Sequence, residues 1–236
     1  MDGEWREVKV AMFSKRPEGE PRTAENWKKT PLPAPTQVVG FAQVVTAERL
    51  AASLPHWQKR LKIHAPWNTV ITTDGAKWIG KMCDAHFPNA DRLLDIYHAC
   101  EHFHGMLNGL FPRDEKLRDE HFRRLRDSVL SRGWDGLYDE LETLKKTVTA
   151  ERWAAHAEKT FAYFHTLRAN LHYPARLASG RPIGSGQVEG ACKQIVGRRL
   201  KPSAGCRWRL RTVNRMLGVL TALHTDTWSR FWAKSK

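Results

Sequence analysis

The chain has 236 residues, 39 Lys or Arg against 25 Asp or Glu, a formal net charge of +14 and a sequence pI near 9.9. Hydrophobic residues make up 41%, including ten Trp and nine Phe, which suffices for the core of one domain, or one domain with an insertion, and argues against disorder. No apolar run approaches the roughly 20 residues that span a bilayer, and no apolar core follows a basic start, so a soluble, cytoplasmic chain with no membrane partner is expected.

Near the start, Trp5 to Phe13 is β-rich enough to predict a strand. Pro17 to Pro35 carries five prolines and many charges, and is expected to be a long loop or hairpin connection. Gln37 to Val45 predicts a second strand, and Thr46 to Lys62 a helix with Thr46 as N-cap and Glu48 in the first turn. Asn68 to Thr73 is a short apolar strand ended by Asp74-Gly75, after which Ala76, Ile79, Met82 and Cys83 recur at helical spacing. Another strand is predicted over Arg92 to Tyr97, with a helix starting near His98. From His102 to about Asn170 the pattern is nearly all helical, with turn signals at Phe111-Pro112, Arg132-Gly133 and Asp135-Gly136. Strands alternating with helices indicate an α/β fold with parallel pairs, and the helical block reads as an insertion or cap.

The charge is uneven. From Lys159 to Thr225 the only acidic residue is Glu189, among Lys159, Arg168, Arg176, Arg181, Lys193, Arg198, Arg199, Lys201, Arg207, Arg209, Arg211 and Arg215. Asp114 to Glu158 instead mixes both signs, as a solvated helical face does. The basic third is therefore the candidate nucleic-acid surface, because such surface attracts phosphate-bearing partners through long-range attraction and counterion release. A charged surface with no partner is the plainer alternative. Cys83, Cys100, Cys192 and Cys206 form no C-x-x-C pair and no zinc-finger spacing, so free thiols are expected.

Three places can carry chemistry. Asp74 lies where an apolar strand stops, and ligand sites in α/β sheets gather at carboxyl ends of strands; Asp-Gly is equally an ordinary turn dipeptide. In Arg181 to Leu200, Ser185 is a possible N-cap, and Val188, Ala191, Cys192, Ile195, Val196 and Leu200 recur at helical spacing. Glu189 borders that apolar stripe, so it is expected to be half buried, either paired with Lys193 at i+4 or holding a divalent cation beside bound phosphates. Gly184 and Gly186 do not make a nucleotide-binding loop, since the terminal G-K-[ST] is absent. Lastly, His98-Ala99-Cys100-Glu101-His102 matches the H-x-x-E-H pattern of inverted zinc peptidases, a short motif that also arises by chance.

Together these pieces resemble insertion-sequence transposases of the DDE type, most closely the Kra-type bacterial group. The resemblance rests on G-E-W-R-E-V-K-V from Gly3, T-D-G-A-K-W-I from Thr73, D-I-Y-H-A-C-E-H from Asp95, R-P-I-G-S-G-Q-V-E-G-A-C-K from Arg181 and R-L-K from Arg199, in the family's order and across nearly the whole chain. It implies an RNase H-like catalytic core with a mostly helical insertion: 1–101 as the first part of the core, 102–175 as the insertion and 176–236 as the last part. It implies Asp74 and Glu189 as catalytic residues and ligands of Mg²⁺ or Mn²⁺, and Asp95 and His98 as positioning residues. The implied activity is DNA strand cleavage and strand transfer on transposon ends and target DNA, by a homo-oligomer when active. Such chemistry uses two metal ions roughly 3.5–4 Å apart.

Lys193, Arg198, Arg199, Lys201, Arg207, Arg209 and Arg211 would hold phosphates, and Trp208 would stack on a base or simply pack. In the resembling proteins the first catalytic aspartate precedes the G-E-W-R-E-V-K-V strand. Asp2 matches the hairpin turn instead, so the expectation is a chain lacking the first strand and one metal ligand, weak or inactive alone. A non-catalytic DNA-binding remnant and the H-x-x-E-H zinc peptidase are the alternatives.

Overall fold

The computed structural model describes residues 6–61, 69–200 and 208–233. Strands β1 (Val8–Lys15) and β2 (Gln37–Val44) pair antiparallel, with Val8 opposite Val44 and Lys15 opposite Gln37. Helix α1 (Ala47–Leu61) follows, its start capped by the Thr46 hydroxyl, which accepts from the Arg49 amide at 3.3 Å. Strand β3 (Val70–Thr73), helix α2 (Lys77–His86) and strand β4 (Asp91–Leu94) form a crossover unit, and β3 and β4 pair parallel from Val70 opposite Asp91 to Thr73 opposite Leu94. The helical block comprises α3 (Ile96–Leu110), α4 (Glu115–Lys145), α5 (Ala150–His156), α6 (Glu158–Thr166) and α7 (Tyr173–Ala178). From Gly186 the chain runs through α8 (Gly186–Ala191), a π-helical stretch Cys192–Gly197 and α9 (Arg198–Leu200). Helices α10 (Leu210–Leu223) and α11 (Thr227–Ala233) complete a mixed α/β fold.

The strand predicted over Arg92 to Tyr97 ends at Leu94, and α3 begins at Ile96, earlier than the expected His98. The cause is Asp95, whose carboxylate accepts from the amides of Tyr97 at 2.7 Å and His98 at 3.4 Å, turning strand into helix within one residue. The first strand begins at Val8; Trp5 lies outside the described residues, as do Asp2 and Cys206. Among the described residues the strands form two pairs, β1 with β2 antiparallel and β3 with β4 parallel.

The chain forms two units that interleave in sequence. One comprises Met1–Pro17, Pro33–His64 and Ser185–Lys236, the other Glu18–Leu32 and Ala65–Gly184. In the first, Ala42 on β2 packs with Ala191, Ile195, Val213, Leu217 and Leu220, and Val8, Val10 and Met12 on β1 lie against that cluster. Helix α10 is fastened to β2 by Asn214, whose side-chain oxygen accepts from the Val44 amide at 2.8 Å, and Asp226 takes the Val38 amide at 2.7 Å. Both bonds satisfy strand N–H groups that burial would otherwise penalise.

In the second unit, Leu93 and Leu94 on β4 join Ile96, Ala99, Phe103, Met106, Leu107 and Leu110 on α3 and the inner faces of α4 to α7. The proline-rich loop is tied into this core by Trp27, which is buried, and by Arg22, which donates to the Trp27 carbonyl at 3.3 Å and to the Arg181 carbonyl. The mixed-sign stretch lies on α4, where Arg124 pairs with Glu140 at 3.2 Å and Arg126 with Asp127 at 2.7 Å, as a solvated face should.

Helix α4 breaks at Gly133, with φ 63° and ψ −138°, where the sequence predicts a turn. A β-carbon there would stand 2.9 Å from the Leu171 carbonyl oxygen, so both backbone and space demand glycine. Gly133→Ala is therefore expected to destabilise by at least about 1–3 kcal/mol. Gly105→Ala, in the middle of α3 with no neighbour near the added carbon, should instead stabilise by up to about 1 kcal/mol. Urea unfolding of the two variants checks this; equal effects would contradict it.

Candidate functional site

Asp74 follows β3 directly, at the carboxyl end of a parallel pair. The Asp95 amide, which follows β4, donates to the Thr73 carbonyl at 2.8 Å, so the two strand ends lie side by side. The Asp74 side chain is exposed, and its Oδ1 accepts from the Ala76 amide at 2.9 Å, closing an Asx turn that starts α2. Gly75, at φ 80°, is needed there because a β-carbon would stand 2.7 Å from the Tyr163 hydroxyl oxygen. That hydroxyl donates to the Asp74 carbonyl at 2.8 Å, fastening the loop to α6. Burial first, then the Asp74 charge, pushes the Tyr163 phenol well up, so it remains a donor.

Tyr163 also joins Asp74 to two histidines. The His102 ring stacks on Tyr163 with centroids 4.1 Å apart, and His98 meets it edge-on at 6.5 Å. His98 Nε2 and His102 Nε2 are 3.2 Å apart, and His98 Nδ1 lies 3.0 Å from Glu101 Oε2. Burial, and then the neighbouring His98, lowers the His102 pKa. Asp95 is buried, and its carboxylate is engaged with the Tyr97 and His98 amides. The structure thus brings Asp74, Asp95 and His98 into one unit, with Tyr163 linking the Asp74 loop to His98 and His102. Sequence reading missed Tyr163 altogether, since nothing local ties it to a loop 89 positions earlier. His102 was visible only through its i+4 spacing from His98.

Glu189 and the selected cations belong to the other unit. Glu189 is exposed, not half buried as expected, because α8 and the π-helical stretch turn Ala191 and Ile195 into their core and leave Glu189, Gly190, Cys192 and Lys193 outward. Among the described residues no ion pair joins Glu189 to Lys193. Lys193, Arg198, Arg199, Trp208, Arg209 and Arg211 are all exposed, whereas Lys201 and Arg207 lie outside the described residues. The long basic run is itself divided. Arg176 is buried, donating to the Pro182 carbonyl at 3.4 Å with Asp91 3.9 Å away, and Arg181 pairs with Glu18, so these two serve the fold of their own unit.

An exposed carboxylate such as Asp74 is a suitable hard ligand for Mg²⁺. Asp95, however, is occupied as a helix cap, and among the described residues no three His, Cys, Asp or Glu converge as a metal site. Among the described residues, neither unit by itself offers Mg²⁺ a full ligand set. Glu101 is bonded to His98 on the Nδ1 side of the ring. Cys83 and Cys100 are free thiols, and burial pushes Cys100 up to about 11, which makes it a poor nucleophile. No helix among the described residues is long and apolar enough to cross a membrane. Comparison with protein-family models, with curated proteins and with solved structures gives no significant match.

Because His102 titrates lower in the fold than in the unfolded chain, the unfolded state takes up the proton first as pH falls. Its stabilising contribution is complete above the ordinary imidazole range and is lost on acidification through that range. Unfolding free energy measured by urea titration should fall from pH 7 to about pH 5, and His102→Gln should flatten that fall. An unchanged slope in the variant would contradict the assignment.

Proposed function

We propose that this chain acts as a DNA transposase of the DDE type, with an RNase H-like core, Asp74 and Glu189 as catalytic carboxylates and a cationic DNA-binding face. The observation that carries the reading is the exposed Asp74 at the carboxyl end of β3, beside the capped Asp95-x-x-His98 segment that follows the parallel neighbour β4. That is where α/β sheets place ligand sites, and it joins two of the motifs on which the resemblance rests. Further support comes from Lys193, Arg198, Arg199, Arg209 and Arg211, exposed on or beside α8 to α10 and suited to phosphate oxygens, with exposed Trp208 available for stacking.

When bound, Mg²⁺ or Mn²⁺ would activate the attacking oxygen and stabilise the leaving one. Within the chain, Tyr163 and Gly75 hold the Asp74 loop in place, and Asp95 orients the start of α3. A role limited to DNA binding is the second reading, favoured by the absence, among the described residues, of three His, Cys, Asp or Glu that converge as a metal site.

Binding to duplex DNA, followed by fluorescence anisotropy, should weaken steeply with salt. The double variant Arg209→Ala, Arg211→Ala should lower the slope of log affinity against log salt by about 2, one phosphate contact each. Salt-independent binding, or a slope unmoved by the double variant, would sink the DNA reading. Any Mg²⁺-dependent nicking of terminal-repeat DNA should disappear in Asp74→Asn; nicking that survives would remove Asp74 from the centre and leave DNA binding alone.

A further inference from the structure

We propose that His98 and His102 form a two-imidazole site for a borderline transition-metal ion, Zn²⁺ in the first instance, distinct from any Mg²⁺ held by carboxylates. The two residues stand one turn apart on α3, with their Nε2 atoms 3.2 Å apart. Two imidazole nitrogens bound to one tetrahedral Zn²⁺ at about 2.0–2.1 Å lie about 3.3–3.4 Å from each other, so the pair already has the bite of a shared ion. The rings are nearly perpendicular, at 88°.

The surroundings fit the same use. Glu101 Oε2 lies 3.0 Å from His98 Nδ1, which favours the tautomer with its proton on Nδ1 and its lone pair on Nε2. A carboxylate behind a ligating histidine is the usual outer partner that fixes ring orientation and raises ligand basicity. Without metal, one Nε2 donates its proton to the other, and a change of tautomer at His102 frees the second lone pair. His98 has a third of its side chain exposed, which leaves an entry path, while stacking on Tyr163 fixes the His102 ring. Two protein ligands leave the remaining positions to water, so the site is open. Imidazole nitrogens select Zn²⁺, Cu²⁺ or Ni²⁺ over Mg²⁺, which prefers oxygen ligands. A bound ion would clip the first two turns of α3 together beside Tyr163, the residue that holds the Asp74 carbonyl.

The test is calorimetric titration of the whole chain with ZnCl₂ in excess MgCl₂, independent of DNA cleavage and hence of the transposase reading. One Zn²⁺ per chain should be lost in His98→Gln and in His102→Gln, and Glu101→Gln, at an exposed position, should weaken it about 10–100-fold. Electron paramagnetic resonance of the unsubstituted chain with one equivalent of Cu²⁺ needs no variant to fold and should show coupling to two imidazole nitrogens. Zinc uptake that is absent, or unchanged in both folded histidine variants, or a copper spectrum with one nitrogen or none, would overturn the proposal.

Discussion

Asp95 is a buried carboxylate on which one half of the molecule turns. Its amide donates to the Thr73 carbonyl and so extends the ladder between the parallel strands, and its side chain accepts from the amides of Tyr97 and His98. A buried acid is tolerated only where such bonds replace water, and an N-cap of this kind contributes about 1 kcal/mol or more to its helix. The larger consequence is one of phase. Starting α3 at Ile96 directs Ala99, Phe103, Met106 and Leu110 into the core, and the same rotation sets His98 and His102 against Tyr163.

The rest of that unit reinforces this junction from far along the chain. Tyr173, fully buried with its phenol pushed well up by burial, donates to the Leu94 carbonyl at 2.9 Å, and the Ile96 amide donates to the Ile183 carbonyl at 3.2 Å. Tyr163 closes the Asp74 loop from α6. The strand ends are therefore held by residues of the helical block, which belongs to the same core as β3 and β4 and is not an appendage to it. In the other unit the constraint differs: Asn214 and Asp226 fasten the α10 region to β2, and an outward surface is left to Lys193, Arg198, Arg199, Arg209 and Arg211.

Local patterns made much of this legible. The strand over Gln37 to Val44, the Thr46 cap, the end of β3 at Thr73 and the break at Gly133 all follow from turn chemistry and periodicity that neighbouring residues decide. What escaped was set by distant partners. An Asp after two leucines reads as the middle of a strand until its carboxylate is seen to cap a helix. Glu189 borders an apolar stripe on an ideal wheel, yet the chain turns π-helical just after it and the wheel no longer describes which residues face the core. Charge counting likewise gave Arg176 and Arg198 equal weight, although one is spent on the Pro182 carbonyl and Asp91, and the other is exposed.

We propose that DNA lies against the exposed cations on and beside α8 to α10. Hydrogen–deuterium exchange of the whole chain, with and without duplex DNA at low salt, tests it most directly. Slowed exchange is expected in peptides covering 186–200 and 208–215, with α4 unaffected. Slowing confined to α4, or no slowing anywhere, would contradict it.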